Sequence, residues 1–460
     1  MKSEPLVAEV KAGSCRLHIH RPAVQYARIL PAMRKSSSAM RGVVSLPSFR
    51  QFWASETLSI TGQQLAVFAL PLIAVTTLNA SPGQMGLLVT LSSLPTLLLS
   101  LYAGLLVDRT NRLKLMSSMS LLRAGTAILL LLALWSGQNA FALLCLVAFL
   151  IGSFAVVYNV AYQSVVPHVV ERDQLTEANS KLEATRSFGD VLGTGLAGGM
   201  IGLLGYAPTI GVSAAAFLLS SIALRRLDAL TTPPPPRAGS AFSHIREGFH
   251  YVLGHPLIRP LMLFAGTFNA AQGIADALLI YYLSRSVGLT PAQIGLVYMG
   301  SNIGLLCGAL LGERLPRYWG HGRTALVAAI CVGVGMLLVP LAAGPLPVVI
   351  SVLMAGRFLY GMGNLMFFVQ HISIRQAVTP AELQGRMNAT IRFLAGGMYP
   401  LGALCGGLLA EHWQTQSILL LAGIITALGV LWVIFSPISR THTLPTISQG
   451  KDADESSNEE

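Results

Sequence analysis

The sequence predicts an all-α membrane protein: twelve transmembrane helices in two pseudo-symmetric six-helix bundles. Three observations carry that prediction. First, 53% of the 460 residues are hydrophobic and only 11% are charged, which is far from the balance of a soluble globular chain. Second, the apolar residues fall into twelve runs, each long enough at about 1.5 Å per residue to cross a hydrocarbon layer about 30 Å thick. Third, the chain repeats itself. Ser81-Pro-Gly-Gln-Met-Gly-Leu87 matches Thr290-Pro-Ala-Gln-Ile-Gly-Leu296 at a spacing of 209, as Phe49-Arg50 matches Ile258-Arg259. Leu175 pairs with Leu383, and Gly198-Gly199 with Gly406-Gly407, at a spacing of 208. Such a parallel duplication implies two halves related by an axis along the membrane normal.

Residues 1–45 are polar and basic, with no apolar run long enough for a signal peptide. They are expected to be a disordered N-terminal segment, with Met33 and Met40 as alternative translation starts. The first bundle, residues 46–228, takes spans from about Phe52 to Val75, Gln84 to Val107, Leu115 to Leu134, Phe141 to Gln163, Phe188 to Leu204 and Thr209 to Leu224. Between the fourth and fifth spans, Leu175, Ala178 and Leu182 share one side of a short amphipathic surface helix. Residues 229–255 form a linker whose Pro233–Pro236 run cannot continue a helix. The second bundle, 256–437, holds spans at about 259–284, 291–312, 323–342, 346–370, 389–410 and 416–435. Residues 438–460 are a disordered acidic tail.

Of the 31 lysines and arginines, 28 fall on the side of the chain termini, only Arg285 falls in the opposite loops, and Arg123 and Arg357 lie within spans. The positive-inside rule puts both termini in the cytoplasm. The net charge of +11 is therefore a topology signal and predicts no nucleic-acid partner. Cys145, Cys307, Cys331 and Cys405 sit inside apolar runs with no CxxC spacing, as small apolar residues rather than a disulfide or metal framework. No catalytic constellation, nucleotide-binding loop or metal cluster is encoded, so neither an enzyme nor a directly ATP-driven pump is expected, and no cofactor.

The second and third spans are joined by Gly104-Leu-Leu-Val-Asp108-Arg109-Thr-Asn-Arg112-Leu-Lys114. Its Gly-x-x-x-Asp-Arg-x-x-Arg pattern resembles the signature loop of the major facilitator superfamily, with Thr110-Asn111 where that family has a glycine. The resemblance implies a cytoplasmic gate in which Gly104 admits a close helix while Asp108, Arg109 and Arg112 meet helix ends or opposite charges. Val166 to Glu183 and Ala69-Leu-Pro-Leu72 resemble a branch containing enterobactin exporters and macrolide efflux proteins. A monomeric secondary transporter of the bacterial inner membrane is implied, exporting siderophore-like or drug-like amphipathic molecules by alternating access and proton antiport. The alternatives are an importer of a siderophore or nutrient, and a membrane partner subunit that transports nothing itself.

Ionisable groups within spans are costly, at least about 2.5–3.5 kcal/mol at a helix centre, and point to function. Asp276 is the deepest acid, on one face of the seventh span with Asn269 and Gln272; Glu56, Ser59 and Gln63 form a comparable stripe on the first. Gln63 and Gln272 are equivalent across the repeat. In the family these two helices line the central cavity, so Asp276, and secondarily Glu56, is expected to bind a coupling proton or a cationic substrate. The alternative for Asp276 is an ion pair with Arg357; Glu56, near the start of its span, has the alternative of snorkelling. Arg357, on a face with Gly361 and Asn364, suits an anionic substrate group; Arg123 is read as mainly structural. Asn159 and Tyr162 are further cavity candidates. Gly189, Gly193, Gly198 and Gly199 of the fifth span are read as close-packing positions, in a stretch resembling the family's antiporter motif with Thr194 in place of its proline.

Overall fold

The computed structural model describes residues 42–137, 140–170, 174–227 and 249–440, and every regular element among them is helical. Twelve stretches are long and apolar enough to cross a bilayer. In the first half these are α1 (Pro47–Thr76), α2 (Pro82–Arg109), α3 (Arg112–Ser136), α4 (Phe141–Val169), α5 (Leu175–Leu204) and α6 (Tyr206–Arg225). The second half holds α7 (Ile258–Tyr281), which continues into a π-turn at Tyr282–Ser286, then α8 (Pro291–Arg314), α9 (Pro316–Leu338) and α10 (Leu346–Val378). Two shorter helices, α11 (Ala381–Gly396) and α12 (Met398–His412), together supply one span, and α13 (Thr415–Ile434) the last.

Local chemistry explains where these helices start. Pro47, Pro82, Pro291 and Pro316 stand in first turns, where a missing N–H costs nothing. The repeated Ser81 and Thr290 make the same capping box, each accepting from the backbone of the glutamine three residues on while that glutamine accepts from the cap N–H. Asn111 caps α3 through the N–H groups of Leu113 and Lys114 at 3.1 and 3.2 Å. Gly205, at φ 86°, turns α5 into α6 in one residue, a conformation open to glycine.

Within the first half α3 packs on α6, α2 on α4, and α1 on α5 and α6; within the second α10 packs on α8 and α9, and α7 on α12 and α13. The halves meet along two helix pairs, α2 with α12 and α5 with α8. Each pair closes on facing glycines. A Cβ on Gly407 would lie 2.7 Å from the Gly86 Cα, and one on Gly198 would lie 3.0 Å from the Gly295 Cα. Gly86 and Gly295 are 209 residues apart, as are Gly198 and Gly407. The repeat thus keeps one register here, and the spacing of 208 assigned from the glycine doublets is corrected by one.

Several boundaries differ from those expected. α5 begins at Leu175 instead of Phe188, because no glycine or proline interrupts the stretch taken for a surface helix; Ala178 and Leu182 are buried against α1, α3 and α4 neighbours. Gly42–Ser45 belong to the fold: Val43 is fully buried and its N–H bonds the Glu177 carboxylate at 3.2 Å. At the end of the linker, residues 249–254 are helical, with Val252 buried and the Tyr251 hydroxyl donating to the Val378 carbonyl at 2.8 Å. Pro437–Arg440 form a 3-10 turn with Ile438 fully buried. Met33, Met40, the proline run and the acidic tail lie outside the described residues.

A candidate binding cavity between the two bundles

A cavity of about 410 Å³ lies between the halves, within the size range of small-molecule sites. α1, α2, α4 and α5 wall one side and α7, α8, α10 and α12 the other. Every hydrogen bond between described residues of the two halves lies from mid-span to the end remote from the termini. Asn302 of α8 donates to the Asp190 carbonyl and, at 3.0 Å, to the Thr194 hydroxyl. Thr90 donates to the Pro400 carbonyl at 3.1 Å. At the remote rim Glu411 accepts from the Ser81 hydroxyl and, at 2.7 Å, from the Gly83 N–H. Arg285 donates to the Val75 carbonyl at 2.7 Å and to the Asn79 side chain. Both rim contacts place a charge where a helix terminus favours it, the carboxylate on the N-terminus of α2 and the guanidinium on the C-terminal carbonyls of α1.

Asp276, Gln272, Gln63 and Arg357 all line this cavity. The Tyr399 hydroxyl donates to the Asp276 carboxylate at 3.1 Å, and Gln272 is one turn of α7 away on the same cavity wall. Asp276 and Arg357 make no ion pair among the described residues. The Arg357 guanidinium carbon instead lies over two rings, 4.9 Å from the Tyr298 centroid and 4.6 Å from that of Tyr360. Arg357 is 7% exposed, and its Nε has no hydrogen-bond partner. Asn364, one of the polar groups on the Arg357 face, also lines the cavity. Asn269 does not: its amide folds back onto the Ala265 carbonyl at 2.6 Å.

Glu56 stands apart from the cavity, in a buried cluster within the first half. It is ten residues into α1, because the helix starts at Pro47, and it is 2% exposed, so it does not snorkel. The Tyr158 hydroxyl donates to it at 2.8 Å and Arg186 pairs with it at 3.2 Å. Arg123 lies 4.2 Å above the Tyr158 ring and 4.7 Å above that of Phe217, and donates to Ser59 and Ser120. Tyr162 belongs to this cluster too, stacked on Phe52 and beneath Arg186 at 4.9 Å. Asn159 is exposed.

At the termini end, Arg112 donates to the Ser164 carbonyl of α4 at 3.0 Å, a bond within its own half. Arg109 is exposed, and nothing lies within 4 Å of a Cβ built on Gly104; the side chain of Asp108 is outside the described set. The four glycines of α5 separate. A Cβ on Gly193 would lie 2.7 Å from the Gln64 side chain, one on Gly189 would meet Ile60, and Gly198 packs on α8. Gly199 has open space, which corrects its expected packing role: one residue turns the helix by about 100°, away from α8.

Several groups of the site were not singled out by sequence. Tyr298, Tyr360 and Tyr399 supply much of the cavity's polar and aromatic surface. Asp190 of α5 accepts from cavity-lining Gln64. For the last, a signal was present: Glu183, Arg186 and Asp190 recur at helical spacing on the stretch that becomes α5.

The sequence profile of the Major Facilitator Superfamily matches residues 52–281 and 270–455. The chain is 29% identical over 361 residues to the multidrug efflux pump Tap of Mycolicibacterium fortuitum, covering 76% of this chain and 86% of that one. To the enterobactin exporter EntS of Salmonella typhimurium it is 26% identical over 411 residues, covering 87% and 95%. In fold it is similar to a bacterial homologue of the iron transporter ferroportin in an inward-facing state, at a TM-score of 0.69 and 16% identity over 86% of this chain and 99% of that one. The nucleoside transporter NupG shares the fold at a TM-score of 0.68 and 12% identity, covering 84% and 99%. Twelve apolar spans, two packed halves and efflux-pump relatives thus agree: the chain belongs to the major facilitator superfamily, in its efflux branch, as a multi-pass inner-membrane transporter of small molecules.

Proposed function

We propose that the protein exports amphipathic small molecules, of siderophore-like or drug-like character, by proton antiport and alternating access. The charge asymmetry of the loops supports cytoplasmic termini. The cavity, held closed at the remote rim by the Glu411 and Arg285 contacts, is then read as facing the cytoplasm. The observation that carries the reading is Asp276, a carboxylate inside the cavity that accepts a hydrogen bond from neutral Tyr399. An ionised carboxylate has about four acceptor positions, so it can still bind a ligand donor or a proton. Ligand binds the ionised form from the cytoplasm; the halves rock, breaking the Glu411 and Arg285 contacts; a proton arriving from outside displaces the ligand at Asp276; the protonated form returns. Through the cycle the gate residues Gly104, Asp108, Arg109 and Arg112 would engage when the termini end closes.

The test is flux in inside-out membrane vesicles with an acidic lumen, using a labelled catecholate siderophore, a macrolide and a cationic dye. Accumulation of one class that collapses when nigericin dissipates the pH gradient is expected. Loss of preloaded label from the lumen under the same gradient would show import and overturn the proposal.

A further inference from the structure

Arg357 is the one cation among the described residues that line the cavity, and no described carboxylate forms an ion pair with it. It is nine-tenths buried, carries a partnerless Nε, and its guanidinium carbon lies 4.9 and 4.6 Å from the Tyr298 and Tyr360 ring centroids. Its N–H groups are the donors it offers to a ligand in the cavity it lines. A permanent cation held this way in a membrane interior is expensive, and a planar fork of donors matches a carboxylate, sulfonate or phenolate in two-point contact. Asp276 faces the same space and accepts from the neutral Tyr399 hydroxyl, but it forms no ion pair with Arg357.

We infer that the transported molecule is a dipolar amphipath: an acidic group docks on Arg357, an aromatic portion lies along Phe68, Tyr298 and Tyr360, and a donor or cationic group reaches Asp276. The acidic group follows from Arg357 alone. The donor end rests on the proposed antiport, because only a group that competes with a proton at Asp276 lets ligand and proton alternate there. A pure anion would do the reverse, since its charge beside Asp276 favours proton binding. The charged or titratable groups in electrostatic reach of Asp276 are Arg357, Tyr298, Tyr360 and Tyr399, and Arg357 is the only cation among them.

The test uses three xanthene dyes of one framework: a rhodamine methyl ester (cation), the same rhodamine as its free acid (zwitterion) and fluorescein (anion). Equilibrium binding to the full-length protein in nanodiscs is read by fluorescence anisotropy. The zwitterion is expected to bind at least tenfold more tightly than its methyl ester. R357Q should abolish that ratio, and R357K should retain only part of it, keeping the charge but losing the planar fork. The wild-type dye series is decisive even if a variant misfolds. Equal or better binding of the ester, an unchanged ratio in folded R357Q, saturable binding of none of the dyes, or tightest binding of fluorescein each overturns the assignment. Charge preference is an equilibrium property, so it can fail while gradient-driven flux stands, and flux can fail while the preference stands.

Discussion

Replacing Glu411 with glutamine tests the remote rim as a conformational latch. The Glu411 carboxylate accepts from the Ser81 hydroxyl and, at 2.7 Å, from the Gly83 N–H, the N-cap and first turn of α2, both across the two halves. The site is exposed. Its charge on a helix terminus is therefore worth only about 1 kcal/mol, which shifts a two-state equilibrium about fivefold. Glutamine preserves shape and one acceptor while removing the charge. Arg285→Gln removes the matching cation from the C-terminus of α1, and because the two contacts sit on different helix pairs, the double variant should shift the equilibrium about 20- to 30-fold. Double electron–electron resonance between spin labels at Thr77 and Gln414, exposed positions on opposite halves, reads the remote opening directly. Each single variant should enlarge the long-distance population about fivefold, and added salt should reduce the difference. Distance distributions identical to wild type in all three variants would refute the latch.

Three further outcomes follow from the packing. Glu56→Gln leaves Arg123 buried and Arg186 half-buried without their shared carboxylate, so it should cost about 3 kcal/mol and lower the melting temperature in detergent, and Glu56→Gln with Arg186→Gln should cost less than the sum of the two. Gly198→Val forces a side chain against the Pro291 carbonyl and the Gly295 backbone, an overpacking worth about 1–3 kcal/mol, and should open the remote rim in the same resonance measurement. Gly199→Ala, one position on with nothing within 4 Å, should stay within about 0.5 kcal/mol of wild type in melting.

The bundles and their duplication were legible because they rest on patterns that repeat: apolar length, loop charge and the 209-residue register of Gly86 with Gly295. The same register placed Gln63 and Gln272 on equivalent helices, and both line the cavity. Glu56 was misjudged through a boundary. Taking the first span from Phe52 left it near water, whereas Pro47 starts the helix and puts it among Tyr158, Arg123 and Arg186. Arg186 was hidden by the reverse error, since a stretch taken for a surface helix is the first half of α5, and the same error left Asp190 only three residues into its expected span instead of mid-helix. Tyr298, Tyr360 and Tyr399 carry no signal of their own in an apolar run, where an aromatic residue packs against lipid or protein as readily as it lines a cavity. The expected pairing of Asp276 with Arg357 was a matter of depth alone; depth was similar, but the tyrosines that separate the guanidinium from other partners are set by rotation of α8 and α10, which spacing does not reveal.

The most direct test of proton antiport through Asp276 is net flux set against exchange, in proteoliposomes carrying wild type or Asp276→Asn, with the free-acid rhodamine as the transported probe. Wild type should concentrate the dye against its gradient when the pH gradient is imposed, and should also exchange labelled for unlabelled dye across the membrane. Asp276→Asn should keep exchange and lose gradient-driven accumulation. Accumulation by Asp276→Asn equal to wild type would contradict the account.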